Sequence, residues 1–305
     1  MNQSFAPPEI SVVIPTCARP KLLERCLAAL ERQTLERSRF EIIVIDDSVE
    51  RRGPAAARNT GWRQARASVI AFTDDDTEPD VDWLLAGLEA MQRGADAVSG
   101  TLVMPPVDLD ALPSDYERDA RGLEDAEFIT ANCFVRREYL IALGGFDENF
   151  RLPWREDADL HFRLLAAGAR VVREPAALVV HPLRPARFGV SISQQRKIMF
   201  DALLYKKHPR LYRERIRARP RWDCYAIAGA LVGAVITLVA GWTGTGALLL
   251  LCWAVLTARF CALRLAGSSR ATRDVVEVVI TSLVVPTVAV FWRAVGALRF
   301  RSGLI

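Results

Sequence analysis

Between Asp223 and Arg259 the chain runs for 35 residues without one charged side chain. A stretch that long with no ionisable group belongs in a membrane. As a single helix it would extend about 52 Å at about 1.5 Å per residue, well beyond a hydrocarbon core of about 30 Å. One crossing therefore cannot absorb it. At its centre Gly241-Trp242-Thr243-Gly244-Thr245-Gly246 supplies glycines for a turn and a tryptophan suited to the interface. The run reads as two spans, residues 225–240 and 247–261, joined in a hairpin. The competing reading, a buried helical hairpin in a soluble core, fits the complete lack of charge poorly.

The flanks orient the hairpin. The formal charge of the whole chain is only +4, yet residues 206–221 hold eight Lys or Arg and one Glu. That segment is +7, leaving −3 for the rest. A basic stretch directly before a span matches an anionic cytoplasmic leaflet. Nucleic acid is a poorer partner for it, since only Tyr205 and Tyr212 are available for base stacking. Arg259, Arg264, Arg270 and Arg273 follow the second span, so both ends of the hairpin read as cytoplasmic. A third apolar segment, residues 275–292, is short and contains Glu277 and Pro286. If it crossed, Arg293, Arg299 and Arg301 would lie outside, so it is expected to be a re-entrant or interfacial helix, with a third span as the alternative. Residues 1–11 have neither a charged leader nor an apolar core, so no signal peptide is expected and the large domain should stay cytoplasmic. The six cysteines, at 17, 26, 133, 224, 252 and 261, show no metal-ligand spacing and are expected to be reduced, buried and inert.

The preceding part has ordinary globular composition. Residues 10–14 and 41–45 are β-rich runs, and residues 21–32 place Leu22, Leu23, Cys26, Leu27 and Leu30 at helical spacing. Continuous apolar strands separated by amphipathic helices imply a parallel sheet covered on both faces. Ligands of such sheets bind beyond the carboxyl ends of the strands. Those ends are polar here. Pro15, Thr16 and Arg19 follow the first strand, Asp46 and Asp47 the second, and Asp74, Asp75 and Asp76 the strand at 68–72.

Three adjacent carboxylates at a strand end need a counterion, and all-oxygen ligands favour Mg²⁺ or Mn²⁺. Asp74 and Asp76 alternate along an extended segment, so both can face one ion that also holds a diphosphate. A solvated acidic turn opening a helix at 81–92 is the plainer reading of the triplet. No Gly-rich phosphate loop is present, so a diphosphate would need the metal together with arginines such as Arg19 or Arg58. Glu156 and Asp157 open an amphipathic helix ending near Gly168. Helix capping accounts for them, and so does an outward carboxylate serving as a general base. His181 follows a strand-like run at 177–180, where either a structural histidine or a third metal ligand would sit.

Taken in order, these motifs resemble the inverting family 2 glycosyltransferases of the GT-A fold over residues 10–182. The landmarks are Val12-Val13-Ile14-Pro15-Thr16, Ile43-Val44-Ile45-Asp46-Asp47-Ser48, Ala57-Arg58-Asn59-Thr60-Gly61 and Thr73 to Thr77. Asn132-Cys133-Phe134-Val135-Arg136, Gly144-Gly145-Phe146-Asp147 and Glu156-Asp157 complete the series. The resemblance implies an α/β GT-A, Rossmann-like, mostly parallel sheet flanked by helices. It implies that Pro15, Thr16 and Asp47 contact the nucleoside and that Arg58 faces the diphosphate, with Arg19 and Asp75 beside it. Asp74 and Asp76 would hold the cation, with His181 as an added ligand or diphosphate contact. Asp157 would be the catalytic base, with Glu156 next to it. Residues 128–150 would line the acceptor side, with Trp154 as a sugar platform. Where family members commonly carry Tyr and Asn after the Pro-Thr pair, this chain has Cys17 and Ala18, so a stacking partner for the base is missing.

The expected organisation is a cytoplasmic transferase domain over 1–205, a basic juxtamembrane segment over 206–222, a transmembrane hairpin over 223–262, and a basic loop with a further helix over 263–305. The expected activity is sugar transfer from a nucleoside-diphosphate sugar to an acceptor hydroxyl or phosphate, with a polyprenyl-linked glycan as one candidate acceptor. The site would lie at the cytoplasmic face of the inner (plasma) membrane. Two other classes compete with this reading: a sugar-nucleotide-forming nucleotidyltransferase, which lacks its Gly-rich basic loop here, and a non-catalytic membrane scaffold.

Overall fold

The computed structural model describes residues 7–108 and 110–303; the leader reading for residues 1–6 lies outside these. The chain divides into two compact units. One comprises residues up to Pro105 with Arg121–Leu183, and the other Pro106–Ala120 with the residues from Arg184 onward.

The first unit is built on a seven-stranded sheet. Its strands are β1 (Ile10–Thr16), β2 (Phe40–Asp46), β3 (Val69–Thr73), β4 (Glu78–Pro79), β5 (Ala97–Val103), β6 (Asn132–Arg136) and β7 (Val171–Val180). They lie in the order β2-β1-β3-β6-β5-β7-β4. β1 pairs in parallel with β2 and β3, and β5 with β7, as the alternation of strands and helices predicts. The sheet is nevertheless mixed rather than mostly parallel. β6 is inserted antiparallel between β3 and β5, and β4 pairs antiparallel with β7. That insertion follows a long excursion of the chain after β5, which frees β6 from the right-handed crossover rule governing parallel neighbours.

Side-chain alternation gives the sheet two cores. Val12, Ile14, Ala71 and Phe134 face one, with Trp83 and Leu84. Val13, Ile70, Phe72, Cys133 and Val135 face the other, with Trp62 and Leu160. The flanking helices are α1 (Pro20–Glu31), α2 (Pro54–Gln64), α3 (Trp83–Gln92), α5 (Arg137–Leu143) and α6 (Glu156–Ala166), while α4 (Asp115–Arg121) lies along the excursion. Close packing of α2 requires Gly61, where an added Cβ would fall well inside van der Waals contact with Val13. Asn132 ties the inserted strand to its surroundings. Its Nδ2 donates to the carbonyls of Thr101 and Ala177, both at 2.8 Å, and its Oδ1 accepts from Trp83 Nε1 at 2.8 Å.

The second unit is helical: α7 (Val190–Gln194), α8 (Met199–Lys207), α9 (Pro209–Leu211), α10 (Trp222–Val239), α11 (Thr243–Leu265) and α12 (Thr272–Phe300). α10, α11 and α12 are each long and apolar enough to cross a membrane, with window mean hydropathies of 1.8, 2.0 and 2.1. The third apolar segment, expected to be re-entrant or interfacial, is one unbroken helix of 29 residues running through Pro286. Glu277 does not interrupt it, because its carboxylate accepts from the Gly189 backbone N–H at 2.7 Å. Residues 106–120 are held inside this unit. Arg264 pairs with Asp115 at 2.6 Å, and Arg118 donates to the carbonyls of Arg264, at 2.9 Å, and Ala266. The six cysteines are free, but Cys17 and Cys252 are exposed rather than buried.

Candidate active site

In the first unit β2, β1 and β3 run side by side in one direction, which brings their carboxyl ends to one edge. The backbone N–H of Asp47 donates to the Thr16 carbonyl at 2.9 Å and joins the first two ends. Asp47 anchors the loop that follows. Its two carboxylate oxygens accept from the backbone N–H groups of Arg52, at 3.0 Å, and Gly53, at 2.7 Å. Gly53 needs its freedom, with φ at 100° and its α-face against the Arg151 carbonyl. Pro15 and Thr16 are buried in β1.

The three aspartates after β3 divide. Asp75 is fully buried: it accepts from Thr16 Oγ1 at 2.6 Å and pairs with Arg19 at 2.8 Å. Burial pushes its carboxyl above the ordinary range, while the Thr16 hydrogen bond and the Arg19 charge oppose that rise. Asp76 lies between Arg19 Nη1 at 3.4 Å and His181 Nε2 at 3.5 Å. Asp74 receives Arg58 Nη2 at 2.7 Å. His181 reaches this edge because β7 is parallel to β5, and its backbone N–H donates to the Val103 carbonyl at 2.8 Å.

Arg58, expected to face a diphosphate, has both Nη groups engaged inside the protein. It is only 2 % exposed and holds Glu156 Oε1 at 3.1 Å with Nη1. The pairing with Glu156 is not legible in the sequence, since the two residues are 98 positions apart. Glu156 is buried and its second oxygen, Oε2, has no hydrogen-bond partner. Its pKa is pushed up to about 7, first by burial and then by the neighbouring Asp157 charge, with Arg58 opposing both. Asp157 remains partly accessible at the first turn of α6. One of its oxygens accepts from the Ala158 backbone N–H at 2.7 Å. Burial raises its pKa as well, opposed by that hydrogen bond and then by Arg155 and Arg58. Arg155 itself takes a left-handed backbone, φ 76°, and its guanidinium lies 4.4 Å over the Trp154 ring.

Among the described residues no group of three His, Cys, Asp or Glu side chains is assembled as a metal cage. The donors nevertheless suit a hard cation held mainly by its substrate. Asp76 and His181 are 3.5 Å apart, and a small divalent ion usually keeps one or two protein ligands alongside phosphate and water oxygens. Asp74, drawn toward Arg58, would contribute its remaining oxygen.

A mixed α/β sheet with acidic strand ends gathered at one edge defines a GT-A-like fold. The same fold occurs in the mannosyltransferase PcManGT from Pyrobaculum calidifontis, solved in complex with GDP-Man and Mn²⁺. The match has a TM-score of 0.57 at 20 % identity and covers 95 % of this chain and 90 % of that one. Residues 11–50 and 48–144, a little under half of the chain, match glycosyl transferase family 2, which marks this part as a glycosyltransferase domain. Glycosyltransferase AglE of Haloferax volcanii is 25 % identical over 225 residues, 63 % of this chain and 72 % of that protein. The pre-mycofactocin glycosyltransferase of Mycobacterium tuberculosis is 34 % identical over 146 residues, 44 % of this chain but only 31 % of its own length. Validoxylamine A glucosyltransferase of Streptomyces hygroscopicus subsp. jinggangensis is 30 % identical over 220 residues, and the chain spans 52 % of it.

Proposed function

We propose that this protein is a membrane-anchored inverting glycosyltransferase that moves a sugar from a nucleoside-diphosphate sugar to an acceptor hydroxyl. The observation that carries this reading is the gathering of Arg19, Asp74, Asp76, His181 and Asp157 around the strand ends of one unit. Pro15, Thr16 and Asp47 would receive the nucleoside, and Arg19 would turn toward the diphosphate. Asp76 and His181, with Asp74, would hold a Mg²⁺ or Mn²⁺ ion. When bound, such an ion stabilises the charge that builds on the departing diphosphate.

Asp157 takes the acceptor proton as the acceptor oxygen attacks the anomeric carbon and the bond to the diphosphate oxygen breaks. One oxygen of Asp157 is occupied by the Ala158 N–H, which leaves the other for the proton. Its raised pKa makes it a stronger base than an ordinary aspartate. A single displacement inverts the anomeric centre and needs no covalent intermediate. Three apolar helices favour an acceptor delivered on a polyprenyl-type lipid, and the basic segment before α10 favours a site at the cytoplasmic side of the inner membrane.

A screen of GDP-, UDP- and dTDP-sugars by thermal stabilisation identifies the donor. The GDP sugars come first because the PcManGT complex holds GDP-Man. Turnover of that donor should release nucleoside diphosphate. Formation of pyrophosphate from a nucleoside triphosphate and a sugar 1-phosphate would instead make the protein a nucleotidyltransferase. Asp157→Asn should lower kcat by about 10²- to 10⁴-fold, the usual worth of a general base, and full activity in that variant would remove the assigned role.

A further inference from the structure

Arg58 belongs to α2, yet its two Nη groups bridge different parts of the site. Nη2 holds Asp74, at the end of β3, at 2.7 Å, and Nη1 holds Glu156, at the start of α6, at 3.1 Å. At 2 % exposure this guanidinium has given up its water, and the two carboxylates compensate its permanent charge. The Phe146 ring lies 5.9 Å from its Cζ and further limits how it can move. An arginine committed in this way is a poor direct ligand for an incoming diphosphate, which would have to break two buried ion pairs.

We infer that Arg58 is a positioning residue joining the donor end of the site to the base end: one Nη fixes Asp74, and the other fixes Glu156 and thereby its neighbour Asp157. This inference rests on the glycosyltransferase reading with Asp157 as base. The charges facing Asp157 define what the bridge controls. Arg155 and Glu156 come from its own helix, Arg58 from α2 and the Cys133 thiol from β6, with Asp74 held on the far side of Arg58. One buried cation thus serves the carboxylates of Asp74, Glu156 and Asp157. Without it, negative charges accumulate and Asp157 ionises less readily.

The test uses the full-length chain in detergent or nanodiscs with the nucleotide sugar that the wild type turns over. Arg58→Gln is expected to cut kcat by about 100-fold and to move the acid limb of the pH–rate profile up by about one unit. The Kd for the free nucleoside diphosphate, by calorimetry in EDTA so that the cation and Asp74 play no part, should change by less than about threefold. Arg58→Lys keeps the charge and should return the limb to its wild-type position with part of kcat. A Kd weakened by about thirtyfold or more with an unmoved limb would make Arg58 a direct diphosphate ligand and overturn the inference. If Arg58→Gln does not fold, Arg58→Lys decides: it keeps the charge but not the two-pronged bridge, so kcat should fall by about tenfold with the limb in its wild-type position, and a wild-type kcat overturns the inference. A wild-type chain that turns over no nucleotide sugar sinks the glycosyltransferase reading itself, a failure visible before any variant is compared.

Discussion

Glu156 bears the crowding of charge around Arg58, because it is buried and its Oε2 has no hydrogen-bond partner. Its pKa of about 7 against an ordinary 4.5 sets a sign for stability. Between those values the folded protein binds more protons than the unfolded chain. The stabilisation present below about pH 4.5 is therefore lost as pH rises through about 7. The melting temperature should fall across that window, and Glu156→Gln should flatten the fall; an identical slope in both proteins would show that another group titrates. At Asp76 the expectation concerns the cation. Asp76→Ala should abolish sugar transfer and raise the metal concentration needed for half-maximal thermal stabilisation by donor plus Mn²⁺, and EDTA should stop turnover in the wild type. Unaffected transfer in EDTA would take the metal out of the mechanism. The residue types of the site were legible in the sequence because strand ends in α/β sheets carry ligands. Which carboxylate pairs with which arginine was not. Asp75 turns inward to Thr16 and Arg58 closes on Glu156, and these choices depend on packing between residues far apart in sequence.

At the scale of elements, hydrophobic runs disclosed β1, β2 and β3, of which β1 and β3 are buried throughout, and helical spacing disclosed α1. The direction of β6 was hidden: its five residues carry no signal that distinguishes parallel from antiparallel pairing. Asn132 supplies the lock that this strand needs. Asn132→Ala would orphan the buried Trp83 Nε1 and the buried Ala177 carbonyl, so a loss of about 2–6 kcal/mol is expected in chemical denaturation, at about 1–3 kcal/mol for each unsatisfied buried group. A loss below about 0.5 kcal/mol would show that water replaces the side chain. Gly61→Ala should cost about 1–3 kcal/mol through overpacking of α2 on β1, read as a lower midpoint with an unchanged m value. The third apolar helix reads in the sequence as re-entrant or interfacial, with a third span as the alternative, because Arg293, Arg299 and Arg301 follow it. α12 runs unbroken through Glu277 and Pro286.

For the molecule as a whole, three apolar helices predict a protein that carbonate leaves in the membrane and detergent releases; release by carbonate would count against any span. The chain enters the second unit at Pro106, leaves it after Ala120 and returns at Arg184. Arg118 is separated from its partner Arg264 by 146 positions. At roughly 5–20 residues per second, synthesis would cover that separation in about 7–30 s. During that interval Asp115 and Arg118 can pair with each other but lack Arg264, whose guanidinium and carbonyl hold them in the finished unit. The helical unit can thus be completed only once the end of α11 has been made, which ties the seating of residues 106–120 to a stretch synthesised long after them.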